Sequence, residues 1–176
     1  DTYGHLFPGQ AAEAVVQLRQ FLFPDNPHIV SGETPPKNQA QRQAQQTSMR
    51  QMGGVLNNLA AILGEAPATR GQALQYIDQA IEFGGERVDY LDTKGTILLQ
   101  VGKVEAAVRL LQRAAALPNP DPRTLLHLAI AHLRLQQTER MAQVIRRLKN
   151  TSLPENLLSA QEKKWLSEID SATERA

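Results

Sequence analysis

The feature that most constrains this chain is a set of apolar and small residues that recurs 34 positions apart. Leu91 maps on Leu125, Gly95 on Ala129, Leu98 on His132, Ala107 on Met141, Leu111 on Ile145 and Ala114 on Leu148. A helix-turn-helix unit of this length cannot bury its apolar face alone, so copies must stack. The period therefore predicts an all-α fold, an open α-α superhelix whose curved face is free to bind another chain. Surfaces of this kind bind partners and rarely carry out chemistry.

The register extends one unit upstream. Ala73, Ile77 and Ala80 lie 34 residues before Ala107, Leu111 and Ala114, whereas Leu56, Leu59, Ala60 and Leu63 precede Leu91, Lys94, Gly95 and Leu98 by 35. A one-residue insertion must fall between Leu63 and Ala73, and Gly64 to Gly71 is the loop to hold it. Helices are expected at about 55–64, 69–83, 87–101, 104–117, 122–136 and 138–149. Gly84-Gly85 and Gly102 suit helix ends, and Asp121-Pro122 reads as an N-cap followed by a first-turn proline. Ser159-Ala160-Gln161-Glu162 reads as a capping box opening a last helix, whose Trp165, Leu166 and Ile169 would cover the apolar end of the array.

Upstream, Ala11, Ala14, Val15, Leu18 and Leu22 give Gly9–Phe23 a helical stripe, resembling a second helix whose partner lies outside the chain. The segment Gln39–Gln51 is rich in glutamine, with a narrow stripe of Ala40, Ala44, Met49 and Met52 that can run straight into the helix of Leu56, with Gly53-Gly54 as a kink. The expected organisation is an N-terminal helix and loop over 1–34, then 35–150 with units at about 53–87, 88–121 and 122–150 behind the glutamine-rich extension. A capping helix follows within 151–176.

Composition narrows the function. Nineteen lysines and arginines face 18 acidic residues, so a net charge of +1 provides no long-range field for nucleic acid or anionic lipid. There is no cysteine, which removes disulfides, thiol nucleophiles and cysteine metal sites together. No apolar run approaches the ~20 residues needed to span a bilayer. The opening Asp1-Thr2-Tyr3-Gly4-His5 has neither an initiator methionine nor a signal-peptide pattern, and the chain reads as a fragment of a longer protein.

Leu91, Gly95, Leu98, Ala107, Leu111 and Ala114, with their counterparts in the flanking units, resemble the tetratricopeptide repeat family over about 95 residues. Leucine stands where that pattern has tryptophan (Leu56, Leu91, Leu125), and Leu63, Leu98 and His132 stand where it has tyrosine. The small-residue signature is kept and the aromatic one is not. The resemblance implies a right-handed solenoid with a capping helix, used as a scaffold that binds a protein or peptide in a concave groove lined by the first helix of each unit. Carried over position by position, the groove would show Asn57, Asn58, Asp89, Asp92, Thr93, Thr96, Gln100, Arg123, His127, Ile130 and Arg134. An extended peptide with an acidic end would place its carboxylates near Arg123 and Arg134. The competing reading makes Asp89 and Asp92 first-turn anions and Arg134 a last-turn cation. Most of the clamp that related domains use for a chaperone's terminal carboxylate is missing, since its positions hold Asn57, Ala61, Thr93, Arg123 and His127.

Chemistry finds little support. His127 and His132 are five apart, about 140° around a helix, and cannot share one metal ion; His132 falls in an aromatic core slot. No nucleophile-base-acid set and no phosphate-cradling glycine turn is suggested, so no catalytic, cofactor-binding or metal residues are assigned. Arg140, Arg146, Arg147 and Lys149 are cations expected near a helix carboxyl end, without aromatic platforms for stacking bases. Asn150-Thr151-Ser152 matches a glycosylation acceptor of high chance frequency. Against the scaffold reading stand a spacer or homo-oligomerisation segment, working through the N-terminal or glutamine-rich helix, and a nucleic-acid site on the Arg140–Lys149 cluster.

Overall fold

A computed structural model describes residues 39–118, 120–153 and 155–174; the expected N-terminal helix, the loop behind it and the Thr34-Pro35-Pro36 helix start lie outside the described residues. The chain divides into two units, residues 1–52 and 53–176. In the first, residues 39–52 are helical. Regular structure among the described residues is entirely helical: α1 (Gln39–Glu65), α2 (Arg70–Gly84), α3 (Val88–Gln100), α4 (Val104–Ala116), α5 (Pro122–Arg134), α6 (Thr138–Lys149) and α7 (Ala160–Thr173). Two short 3-10 turns, Pro67–Thr69 and Glu155–Leu157, interrupt the connections.

The helical span of α1 runs through Gly53-Gly54. Gly53 serves close approach: a Cβ on it would lie 2.9 Å from the Tyr90 hydroxyl and 3.0 Å from the Ala80 carbonyl oxygen. Gly95 does the same between α3 and α4, where a Cβ would stand 2.7 Å from Cγ of the fully buried Leu111. The contact at Gly95 explains why a small residue is kept at that repeat position.

The 34-residue interval reappears in the backbone. After α3, Gly102 takes φ +78° while the Lys103 N–H donates to the Leu98 carbonyl at 2.9 Å. After α5, 34 residues on, Gln136 takes φ 56° and the Gln137 N–H donates to the His132 carbonyl at 2.9 Å. The second turn is built with a non-glycine residue in the left-handed region, a conformation that disfavours L side chains. The signals read for helix starts are also present. Asp121 Oδ1 accepts from the Arg123 N–H at 2.8 Å ahead of α5, and Ser159 and Glu162 exchange both bonds of a capping box ahead of α7.

Sequential helices α2 to α6 pack in order, and α3 also meets α5, as α5 meets α7. Helix α5 thus touches α3, α4, α6 and α7, and every residue from Thr124 to His132 is buried. Leu111, Leu126 and Ile130 sit with Trp165 and Ile169 of α7 in one apolar core. Each such side chain contributes about 2 kcal/mol relative to exposure.

Candidate functional site

Five of the residues on the first-helix positions come together with Asn57 around a groove of about 650 Å³: Asp89, Asp92 and Thr93 from α3, and Arg123 and His127 from α5. Asn57 and Ala61 of α1 form one flank, and the Pro120-Asp121-Pro122 entry to α5 forms the other. Asp89, Asp92 and Thr93 share a side of α3 because residues three and four apart are helical neighbours. The two prolines hold that entry extended and leave Asp121 free to cap α5.

The groove wall contains a buried ionic cluster. His127 Nδ1 lies 2.9 and 3.1 Å from the two carboxylate oxygens of Asp92, and Nε2 lies 3.1 Å from Glu162 Oε1. The Thr96 hydroxyl is 3.1 Å from the same Nδ1, and the Trp165 ring stands at 81° to the imidazole with centroids 5.7 Å apart. Asp92, His127 and Glu162 come from α3, α5 and α7 at intervals of 35 residues, one step per first helix.

Burial by itself would lower the pKa of His127, but the charge and hydrogen bond of Asp92, reinforced by those of Glu162, raise it to about 9. Burial would raise Glu162, yet bonds from His127 and from the Ser159 backbone bring it down to about 2. The ring is therefore an imidazolium at neutral pH, with both N–H groups donated to carboxylates. In that state it offers no lone pair to a metal and accepts no proton, so it acts as a fixed cation. The two carboxylates flank opposite ring nitrogens, and among the described residues no group of three or more such side chains could hold a metal ion.

Asn58, Gln100, Ile130 and Arg134 lie outside the groove lining. Asn58 is exposed and outside the groove lining, and Ile130 is fully buried rather than on an open face. Gln100 closes a helix junction: Arg70 Nε donates to its side-chain oxygen at 3.1 Å and to the Gly64 carbonyl at 3.1 Å, tying the carboxyl ends of α1 and α3. Arg134 is paired with Glu168 of α7 at 2.6 Å. Arg123 forks onto Asp121, with Nη2 3.0 Å from Oδ2. Burial alone would raise the Asp121 carboxyl; the hydrogen bonds and charge of Arg123 outweigh it and hold it below its ordinary value. The two arginines expected to receive an acidic peptide end are thus already neutralised.

Glu162 and Arg70 were not among the sequence candidates. Glu162 announced itself only as a capping residue, although the 35-residue step from His127 marks its place; Arg70 carries no comparable signal. His132 is buried as its core position implied, with Nδ1 2.8 Å from Gln137 Oε1, and burial lowers its pKa. In the basic cluster, Arg147 donates to the Ala115 carbonyl at 3.0 Å and so joins α6 to α4. No helix among the described residues is long and apolar enough to cross a membrane. No protein-family model, curated protein or solved structure matches the chain.

Proposed function

We propose that the second unit is a tetratricopeptide-like array, a right-handed superhelical scaffold that binds an extended peptide of a partner protein in the groove between α1, α3 and α5. The observation that carries this reading is the coincidence of two independent features. The backbone turn of one helical unit is reproduced 34 residues on, and six of the eleven first-helix positions carried over from the family pattern line a single concavity. A groove of that volume fits a few side chains of an extended segment. An imidazole held as a saturated cation speaks for recognition over proton transfer.

The test is selection of a phage-displayed random peptide library on the full chain. Binding of the selected peptides is then compared across the wild type, Ala61→Trp and Arg134→Ala. Ala61 is exposed and lines the groove, so tryptophan fills the concavity without touching the core; Arg134 lies outside it. Peptides that lose binding to Ala61→Trp and keep it to Arg134→Ala support the reading. Equal binding to all three overturns it.

A further inference from the structure

Charge pairing around the groove is complete at two of its three acidic positions. Asp89 is forked onto Arg87 and Asp121 onto Arg123, one hydrogen-bonded cation to each carboxylate, while Arg123 adds only a weaker attraction at longer range to Asp92 and Glu162. The third position differs, because the single ring of His127 serves both Asp92 and Glu162. An imidazolium carries one positive charge, so with both carboxylates ionised this cluster keeps one negative charge in excess.

Within the groove that excess is felt through Asp92, the member of the cluster's carboxylates that lines it. Glu162 sits on the far side of the ring and also accepts the Ser159 N–H at 2.7 Å. Asp92 lines the groove, and its side chain is only 19% exposed, too enclosed for water to screen it fully.

A second observation points the same way. Asn57 (9% exposed) and Thr124 (0%) both line the groove, and Asn57 Oδ1 and Thr124 Oγ1 are buried oxygens with no hydrogen-bond partner. A buried amide oxygen without a donor carries an uncompensated desolvation cost, and only a donor relieves it. The groove is therefore short of positive charge and, at Asn57, of a donor; the Thr124 hydroxyl can itself donate or accept and does not choose between ligands. A carboxylate ligand brings neither. Lysine ammonium and arginine guanidinium bring both, and they carry no acceptor. Val88, Pro120 and Pro122 add apolar surface along which the stem of such a side chain can lie.

We propose that the groove is a receptor site for a basic peptide, with a lysine or arginine side chain ending against Asp92. This rests on the groove reading above and specifies its ligand.

The test takes the library peptides whose binding is lost on Ala61→Trp, so that groove occupants alone are scored, and prepares them with acetylated amino ends to remove the terminal ammonium. One basic position should be enriched. Changing it to glutamine should weaken binding about tenfold, as loss of a charge-assisted bond at a half-buried site does. Exchange of lysine for arginine at that position should cost less than the glutamine change. Asp92→Asn should weaken the basic peptide by a similar factor and leave the glutamine peptide unchanged. Because that variant also alters the His127 cluster, the comparison of basic and glutamine peptides on the wild-type chain stands independently of it. Groove peptides enriched in acidic residues, showing no charge preference, or depending wholly on a free amino terminus would overturn the basic-side-chain assignment and leave the docking groove intact. Absence of any peptide sensitive to Ala61→Trp would remove the groove reading itself.

Discussion

Raising the pH through the titration of His127 should unlock the junction of α3, α5 and α7, and its cost can be worked from the geometry. The folded-state pKa is about 9 against an ordinary 6.5. One unit corresponds to ~1.4 kcal/mol, so the cluster contributes about 3 kcal/mol to stability while the ring is charged. The pKa is raised in the folded state, so this contribution is fully present below about pH 6.5 and is lost as the pH rises through 9. Glu162, lowered from 4.5 to about 2, has the opposite sign: its contribution is present above about 4.5 and lost as the pH falls through 2. The two shifts describe largely one attraction seen from each partner and are not added. Stability should accordingly level off between about pH 4.5 and 6.5 and fall by about 3 kcal/mol toward pH 9.5.

Urea unfolding at half-unit steps of pH measures this, with His127→Gln as the reference chain and the His127 ring resonance followed by NMR. The variant also cancels the contribution of His132, whose lowered pKa acts on the acid side of neutrality with opposite slope. A wild-type curve flat between pH 6.5 and 9.5, or one parallel to that of His127→Gln, would refute the argument. So would a His127 resonance that titrates near 6.5.

Three further outcomes follow from the packing. Gly95→Ala gains about 1 kcal/mol of helix propensity but drives a methyl to within 2.7 Å of Leu111 Cγ; thermal unfolding should show net destabilisation of about 1–2 kcal/mol, and a rise in Tm would show that Leu111 has room to move. Arg134→Ala removes an exposed ion pair with Glu168 and should change stability by less than about 1 kcal/mol, a larger loss in a urea titration indicating a role beyond that pair. The combined change Asp92→Leu, His127→Phe and Glu162→Leu should unfold within about 2 kcal/mol of the wild type, whereas His127→Leu alone, which strands two carboxylates, should lose about 3–5 kcal/mol; a triple variant as unstable as the single one would show that the cluster is held for stability.

Local signals made most of the fold legible in the sequence. The capping box at Ser159, the Asp121-Pro122 start and the glycine turns act within a few residues of themselves, so they survive whatever surrounds them. The repeat interval located α3 to α6 because small residues at the crossings are forced by close approach. What the sequence did not disclose was long-range charge pairing. Arg134 looks like a free cation along the chain, and only packing puts Glu168, 34 residues on, against it; Arg123 is paired locally, with the Asp121 carboxylate two residues before it. Ile130 was misplaced for a related reason. In an array without an end, one side of α5 faces the groove; here α7 covers part of it, and the run Leu125 to His132 is buried on all sides. The nearly continuous apolar text of that run was the available sign.

The position of the ionic cluster also explains why apolar side chains do not fill it. Two carboxylates and an imidazolium removed from water gain little net stability over a well-packed apolar set, so stability alone gives no reason for this choice. Orientation does. Glu162 accepts the Ser159 N–H with one oxygen and faces His127 with the other, which ties the first turn of α7 to the imidazole. The imidazole in turn holds both oxygens of Asp92 from behind. A carboxylate fixed in this way loses little rotamer freedom when a ligand arrives, and preorganisation of that kind favours affinity. The terminal helix thus does more than cover an apolar end: through two hydrogen-bonded links it fixes the orientation of the Asp92 carboxylate at the groove wall.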